Sequence, residues 1–131
     1  MKKLLILVLS SFLLIACKGT GNETKRQINF SDGRKETVSI AFVKGSDERV
    51  VQHVTYTKDE RVIKLADADK EVQEIWSQVE NEAEERDIRE GLIKYVYAAD
   101  FDEAANKPLY RILFFEAQKI ENGSWVIERV N

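Results

Sequence analysis

Residues 26–65 run as short alternations of apolar and polar positions broken by turn signals. Arg26–Phe30 predicts a short strand. Ser31-Asp32-Gly33-Arg34 predicts a tight hairpin, because Asp-Gly supplies the positive φ such turns require. In Thr37–Phe42, Val38, Ile40 and Phe42 fall on one face of a strand. A second turn, Lys44-Gly45-Ser46-Asp47, leads to a strand with Val50, Val54 and Tyr56 on one side, Gln52 an exception in that row, and Val51, His53, Thr55 and Thr57 opposite. Lys58-Asp59-Glu60 predicts a third turn and Val62–Leu65 a short fourth strand, so this half reads as an antiparallel meander.

Over residues 67–87 the period changes. Val72, Ile75, Trp76, Val79 and Ala83 recur at helical spacing and predict an amphipathic helix that lays Trp76 across one face of the sheet. Asp67 and Asp69 stand where a carboxylate caps free N–H groups and meets the positive end of the helix dipole. Glu82→Arg86 and Glu85→Arg89 have the favourable i,i+4 order. Glu71, Glu74, Glu80, Glu82, Glu84 and Glu85 read as a solvated outer face. After Gly91, Leu92–Tyr97 predicts a strand and Asp100–Pro108 a loop. Leu109–Gln118 predicts the longest strand. It has Tyr110, Ile112 and Phe114 on one face and Leu113, Phe115 and Ala117 on the other, a pattern expected of a central strand. Asn122-Gly123 closes a last hairpin onto Trp125–Val130. The expected architecture is α+β: a curved antiparallel sheet of six to seven strands with one amphipathic helix packed across it.

The amino-terminal stretch carries a different signal. Met1-Lys2-Lys3 is a short basic region, and the 12 residues Leu4–Ile15 are apolar apart from Ser10 and Ser11. That is too short for the roughly 20 residues a membrane-spanning helix needs. It ends in Leu14-Ile15-Ala16-Cys17, with a small residue ahead of the only cysteine in the chain. Leu14–Cys17 resembles the lipobox of bacterial lipoprotein precursors. The resemblance implies a signal peptide over 1–16, cleavage between Ala16 and Cys17, and a diacylglycerol (palmitate-type) thioether on Cys17. Two acyl chains anchor far better than one, at about 0.8 kcal/mol per buried CH₂. Lys18–Lys25 then reads as a flexible tether reaching about 16 Å, and 26–131 as a single extracytoplasmic domain. The expected location is the cell membrane, lipid-anchored and facing outward, or the outer membrane in a two-membrane bacterium.

Composition narrows the chemistry. The 131 residues are 44% hydrophobic and 33% charged, as in ordinary globular proteins. Loss of residues 1–16 removes two lysines, so the net charge of −3 becomes −5. This disfavours nucleic acid and a polybasic grip on lipid as binding modes. One cysteine excludes an internal disulfide, and one histidine a multi-histidine metal site. His53, mid-strand, has no nucleophile signature beside it. The acidic run Asp100-Phe101-Asp102-Glu103 lacks the spacing of a calcium loop and reads as a cap or a solvated loop. No cofactor or metal is expected. Tyr95, Tyr97 and Tyr110 are the candidates for a ligand groove on a concave sheet face, core packing being the competing reading.

The hairpin Phe42-Val43-Lys44-Gly45-Ser46-Asp47, followed by Val50 and Gln52, is similar to a strand–Lys-Gly-Asp–strand turn of the small YehR-like lipoproteins. The similarity covers about residues 26–118. It implies a surface-tethered domain of unknown function with no assigned catalytic residues. The functional expectation is therefore a non-enzymatic, lipid-anchored binding module for an envelope protein or small ligand. A small ligand-processing domain, or an inhibitor or immunity domain acting at the cell envelope, is the alternative.

Overall fold

The computed structural model describes residues 23–58 and 64–130. The elements are β1 (Thr24–Asn29), β2 (Lys35–Lys44), β3 (Val50–Lys58), α1 (Leu65–Glu85), β4 (Glu90–Asp102), β5 (Lys107–Lys119) and β6 (Trp125–Val130). The six strands form one sheet in sequence order, β1-β2-β3-β4-β5-β6. Each neighbouring pair is antiparallel except β3 and β4, which are parallel. The expected α+β architecture is present at this level: a six-stranded, mostly antiparallel sheet and one helix.

Two expectations about the first half need correction. Leu65 opens the helix instead of closing a fourth strand, and Val62 and Ile63 lie outside the described residues. The meander thus stops at β3. The chain then returns along α1, so the next strand runs in the same direction as β3, as a crossover helix requires. Thr24 and Lys25 belong to β1, paired with Ile40 and Ser39, so the expected tether is shorter at its carboxyl end. Cys17 and the expected signal segment 1–16 lie outside the described residues.

The core sits between α1 and one face of the sheet. Ala68, Val72, Ile75, Trp76, Val79 and Ala83 turn inward from the helix onto Ile28, Val38, Ile40, Val54, Tyr56, Ile93, Tyr95, Phe115 and Ala117. Gly91 is required where it stands. A Cβ there would lie 2.2 Å from the Trp76 indole, so only a bare backbone lets the ring rest on the sheet. Trp125 meets Trp76 edge-on, with ring centroids 4.9 Å apart. Gln52, fully buried, donates from Nε2 to the Val79 carbonyl at 3.1 Å and ties β3 to the middle of the helix.

The helix ends differ from the simplest reading. Lys64 occupies the N-cap position without a side-chain cap hydrogen bond, and Asp67 lies in the first turn. At the other end, the Ile88 N–H donates to the Ala83 carbonyl and the Asp87 N–H to that of Glu84. With Asp87 at φ 56°, this is a Schellman termination with Asp where Gly is usual. Glu82 pairs with Arg26 of β1, and the Arg86 guanidinium lies 3.9 Å from the centre of the Phe42 ring.

Candidate functional site

Glu71 is the largest departure from the expected solvated helix face. It is 4% exposed, one turn inside the helix, and its carboxylate is enclosed by donors from two strands and a turn. Oε1 accepts from Lys58 Nζ at the end of β3 (2.7 Å) and from the Tyr95 hydroxyl of β4 (2.7 Å). Oε2 accepts from Arg34 Nη2 (2.8 Å). Lys58 is itself 5% exposed.

The turn sequence explains how Arg34 gets there. Gly33 at φ 94° turns the chain, and Phe30 and Arg34 close the hairpin, Phe30 N–H to Arg34 carbonyl at 2.9 Å. Asp32 accepts from the Arg34 amide and, at 2.7 Å, from Arg34 Nε. The guanidinium also donates to Glu36 Oε2 (2.9 Å) and lies 4.7 Å from the centre of the Phe30 ring. Tyr56 donates its hydroxyl to the same Glu36 oxygen at 2.6 Å. One connected set of charges and hydroxyls therefore joins the β1–β2 turn, β2, β3, β4 and α1.

The electrostatics follow from this enclosure. Burial pushes the Glu71 carboxyl up, but hydrogen bonds from Lys58, Arg34 and Tyr95 and the Lys58 charge outweigh it and hold its pKa below the ordinary value. Burial, and then a bond donated to a carboxylate, raise both Tyr56 and Tyr95 and keep them neutral. A carboxylate already saturated by three donors is a weak base. The arrangement is suited to locking the helix on the sheet. Beside it opens a cleft of about 340 Å³ bordered by Ser31, Asp32, Lys58, Lys70 and Glu74.

At the opposite end of the helix lies a larger cleft, about 580 Å³, lined by Arg49, Arg86, Arg89 and Lys119 with Asp87 and Glu90. Its cations are largely engaged. Arg49 pairs with Asp47 and Glu90, Lys119 with Glu84, and Arg86 with the Phe42 ring.

The three tyrosines anticipated as a groove are not brought together. Tyr95 and Tyr97 lie on the helix-covered face, buried in an aromatic row that runs Phe30–Tyr56–Tyr95–Tyr97 with centroid separations of 5.7, 5.3 and 6.2 Å. Tyr110 pairs with Ala98 across β4 and β5, one residue out of phase, and so projects from the opposite face. His53 is also on that opposite face, between Ala41 and Leu92, where burial and the nearby Lys94 charge lower its pKa. The acidic run is not a long loop. β4 continues to Asp102 past a bulge between Ala98 and Asp100, and Asp102 Oδ1 accepts from the Ala104 and Ala105 amides to shape the turn into β5.

The face without the helix holds one of the two apolar rows that predict a central strand. Tyr110, Ile112 and Phe114 are 47%, 50% and 39% exposed. Val96 opposes Ile112 on β4, and Val130 opposes Phe114 on β6, which widens the row into a patch over three strands. Toward β2 and β3 the same face carries Thr37, Ser39, Thr55 and Thr57, with Val43 and Val51 at the far end of the pair. Alternation on β5 revealed two apolar faces. It gave no information about the number of helices available to cover them. A scan against models of protein families finds none that matches this chain, and a search of curated proteins finds no match.

Proposed function

We propose that the chain is a bacterial lipoprotein anchored through a diacylglyceryl thioether on Cys17, and that its folded domain is a binding module for an envelope protein. The single observation that carries the binding role is the exposed row Tyr110, Ile112 and Phe114, extended by Val96 and Val130, on the sheet face that α1 leaves open. Contiguous apolar surface of this kind, bordered by polar residues, marks interaction sites on soluble domains. The anchoring rests on the Leu14–Cys17 segment, in which a small residue precedes the lone cysteine behind a short apolar stretch. Together they describe a leashed recognition domain outside the cytoplasm, of the broad kind the YehR-like resemblance suggests.

Fatty-acid labelling of the full chain tests the anchor: wild type should incorporate label and remain in the membrane, and Cys17→Ser should do neither. Label retained by Cys17→Ser overturns the anchoring. A photo-crosslinking residue at position 112 tests the face in the intact envelope. It should capture an envelope protein, and capture should disappear when Phe114→Glu is added. Capture indifferent to Phe114→Glu, or none above an identical probe placed at Thr37, overturns the binding role.

A further inference from the structure

The two edges of the sheet are finished differently. The hydrogen bond from the Phe30 amide to the Arg34 carbonyl fixes the ladder phase of β1, so its odd-numbered residues direct their amides and carbonyls outward. There the α1 side chains intervene. The Gln78 amide group accepts from the Asn29 N–H at 2.9 Å and donates to the Asn29 carbonyl at 2.8 Å, standing in for a neighbouring strand. Glu74 accepts from the Ser31 amide, and Arg26 donates to the Gln78 carbonyl. Lys25 and Arg26 add charge to the same edge.

At β6 the ladder phase is set by the Ile120 amide, which donates to the Ser124 carbonyl at 2.9 Å. With the register Lys119↔Trp125 and Gln118↔Val126, the even-numbered residues of β6 bond to β5. The amides and carbonyls of Trp125, Ile127 and Arg129 therefore point away from the sheet, and β6 is its terminal strand.

We infer that the β6 edge pairs with the β6 edge of a second copy of this chain, antiparallel and centred on Ile127, to make one continuous sheet across a two-fold axis. A two-fold axis normal to the sheet keeps like faces together, so each residue must oppose one of the same parity. The outward-facing groups at Trp125, Ile127 and Arg129 must also form the bonded pairs. Centring on Ile127 meets both conditions. It opposes Trp125 to Arg129, a cation facing an aromatic ring, and Val126 to Glu128, and it leaves all three outward-facing residues bonded. The neighbouring registers are worse. Centring on Glu128 sets the two Glu128 carboxylates against each other, and centring on Arg129 does the same for the two guanidiniums, at like-charge cost. Centring on Val126 shortens the paired segment. The sequence of β6 is thus complementary to itself in one register. The resulting sheet would also join the two apolar patches at Phe114 and Val130 edge to edge. This pairing needs no lipid on Cys17, so it can stand or fall apart from the anchoring.

The register makes its own test. Val126 and Glu128 project from the open face and are exposed. Two full-length chains with different tags, Val126→Cys and Glu128→Cys, are co-expressed and oxidised, with the wild-type chain as background for Cys17. In the proposed register residues 126 and 128 of opposite copies form a close pair with Cα atoms about 4.5 Å apart, while like positions sit on the diagonal at about 7–8 Å, beyond disulfide reach. The mixed disulfide should therefore exceed either homotypic one roughly tenfold, a difference of about 1.4 kcal/mol in effective pairing. Adding Ile127→Pro, which removes an outward-facing N–H and no β5 bond, should abolish the mixed disulfide while circular dichroism shows the fold retained. A mixed product no greater than the homotypic ones, or cross-linking only to another envelope protein, overturns the inference.

Discussion

Glu71→Leu offers the sharpest test of how α1 is held on the sheet. The change leaves the Lys58 ammonium, 5% exposed, and the Tyr95 hydroxyl without their shared acceptor. Breaking a buried ion pair from one side costs about 3–5 kcal/mol. Against a total stability of about 5–15 kcal/mol, that is a large fraction. Lys58→Met is expected to cost less, about 1–3 kcal/mol, because Arg34 and Tyr95 still donate to the carboxylate. Combining the two removes both buried charges, so the double variant should be less destabilised than the sum of the singles by about 1–3 kcal/mol. Urea unfolding at neutral pH, followed by the fluorescence of buried Trp76 and by circular dichroism, measures all four corners of the cycle. A Glu71→Leu cost below about 1 kcal/mol, as for an exposed pair, or strict additivity would refute the reasoning. The sign with pH is also determined. Glu71 has a lower pKa folded than unfolded, so its stabilisation is complete above the ordinary value of 4.5 and is lost as pH falls through the lower folded value. The difference in stability between wild type and Glu71→Gln should stay flat between neutrality and about pH 5 and shrink in stronger acid.

Gly91→Ala should destabilise by about 1–3 kcal/mol or more, because its methyl group would lie 2.2 Å from Trp76; the urea midpoint measures this, and Trp76→Leu in the same chain should recover part of the loss. Asp87→Gly should stabilise by about 1 kcal/mol, since Asp87 stands at φ 56° in the helix termination; a thermal melt that fails to rise would contradict the strain assigned there. Gln78→Ala should cost about 1 kcal/mol and speed hydrogen exchange at the Asn29 amide, with the amides of β4 unaffected; unchanged exchange at Asn29 would show that the Gln78 cap does not persist in solution.

Much of the fold was legible because it depends on period. The turns at Gly33 and Gly123, the alternation of β2 and the stripe Val72–Ala83 each follow from local geometry, and each element forms where the pattern placed it. Val62–Leu65 was not legible in the same way. A four-residue apolar run fits a strand and a helix entrance equally well, and Leu65 belongs to the helix. With that boundary moved, β4 must run parallel to β3 instead of continuing the meander. The candidate site was less legible still. Glu71 looks like its neighbours Glu74 and Glu80 in a helical wheel drawn for solvent. It is buried because Lys58, Arg34 and Tyr95, distant in sequence, converge on the same point in space.

The chain's own residue order determined the alternation of strand and helix, the acidic balance and the lone cysteine behind an apolar stretch, because these depend on neighbours a few positions apart. Tertiary structure alone decided that Glu71 is a buried anchor, that Tyr110 stands on the opposite side from Tyr95 and Tyr97, and that Tyr110, Ile112 and Phe114 face solvent. The reason is countable: a sheet has two faces, this one carries apolar residues on both, and among the described residues one helix, α1, covers only one of them.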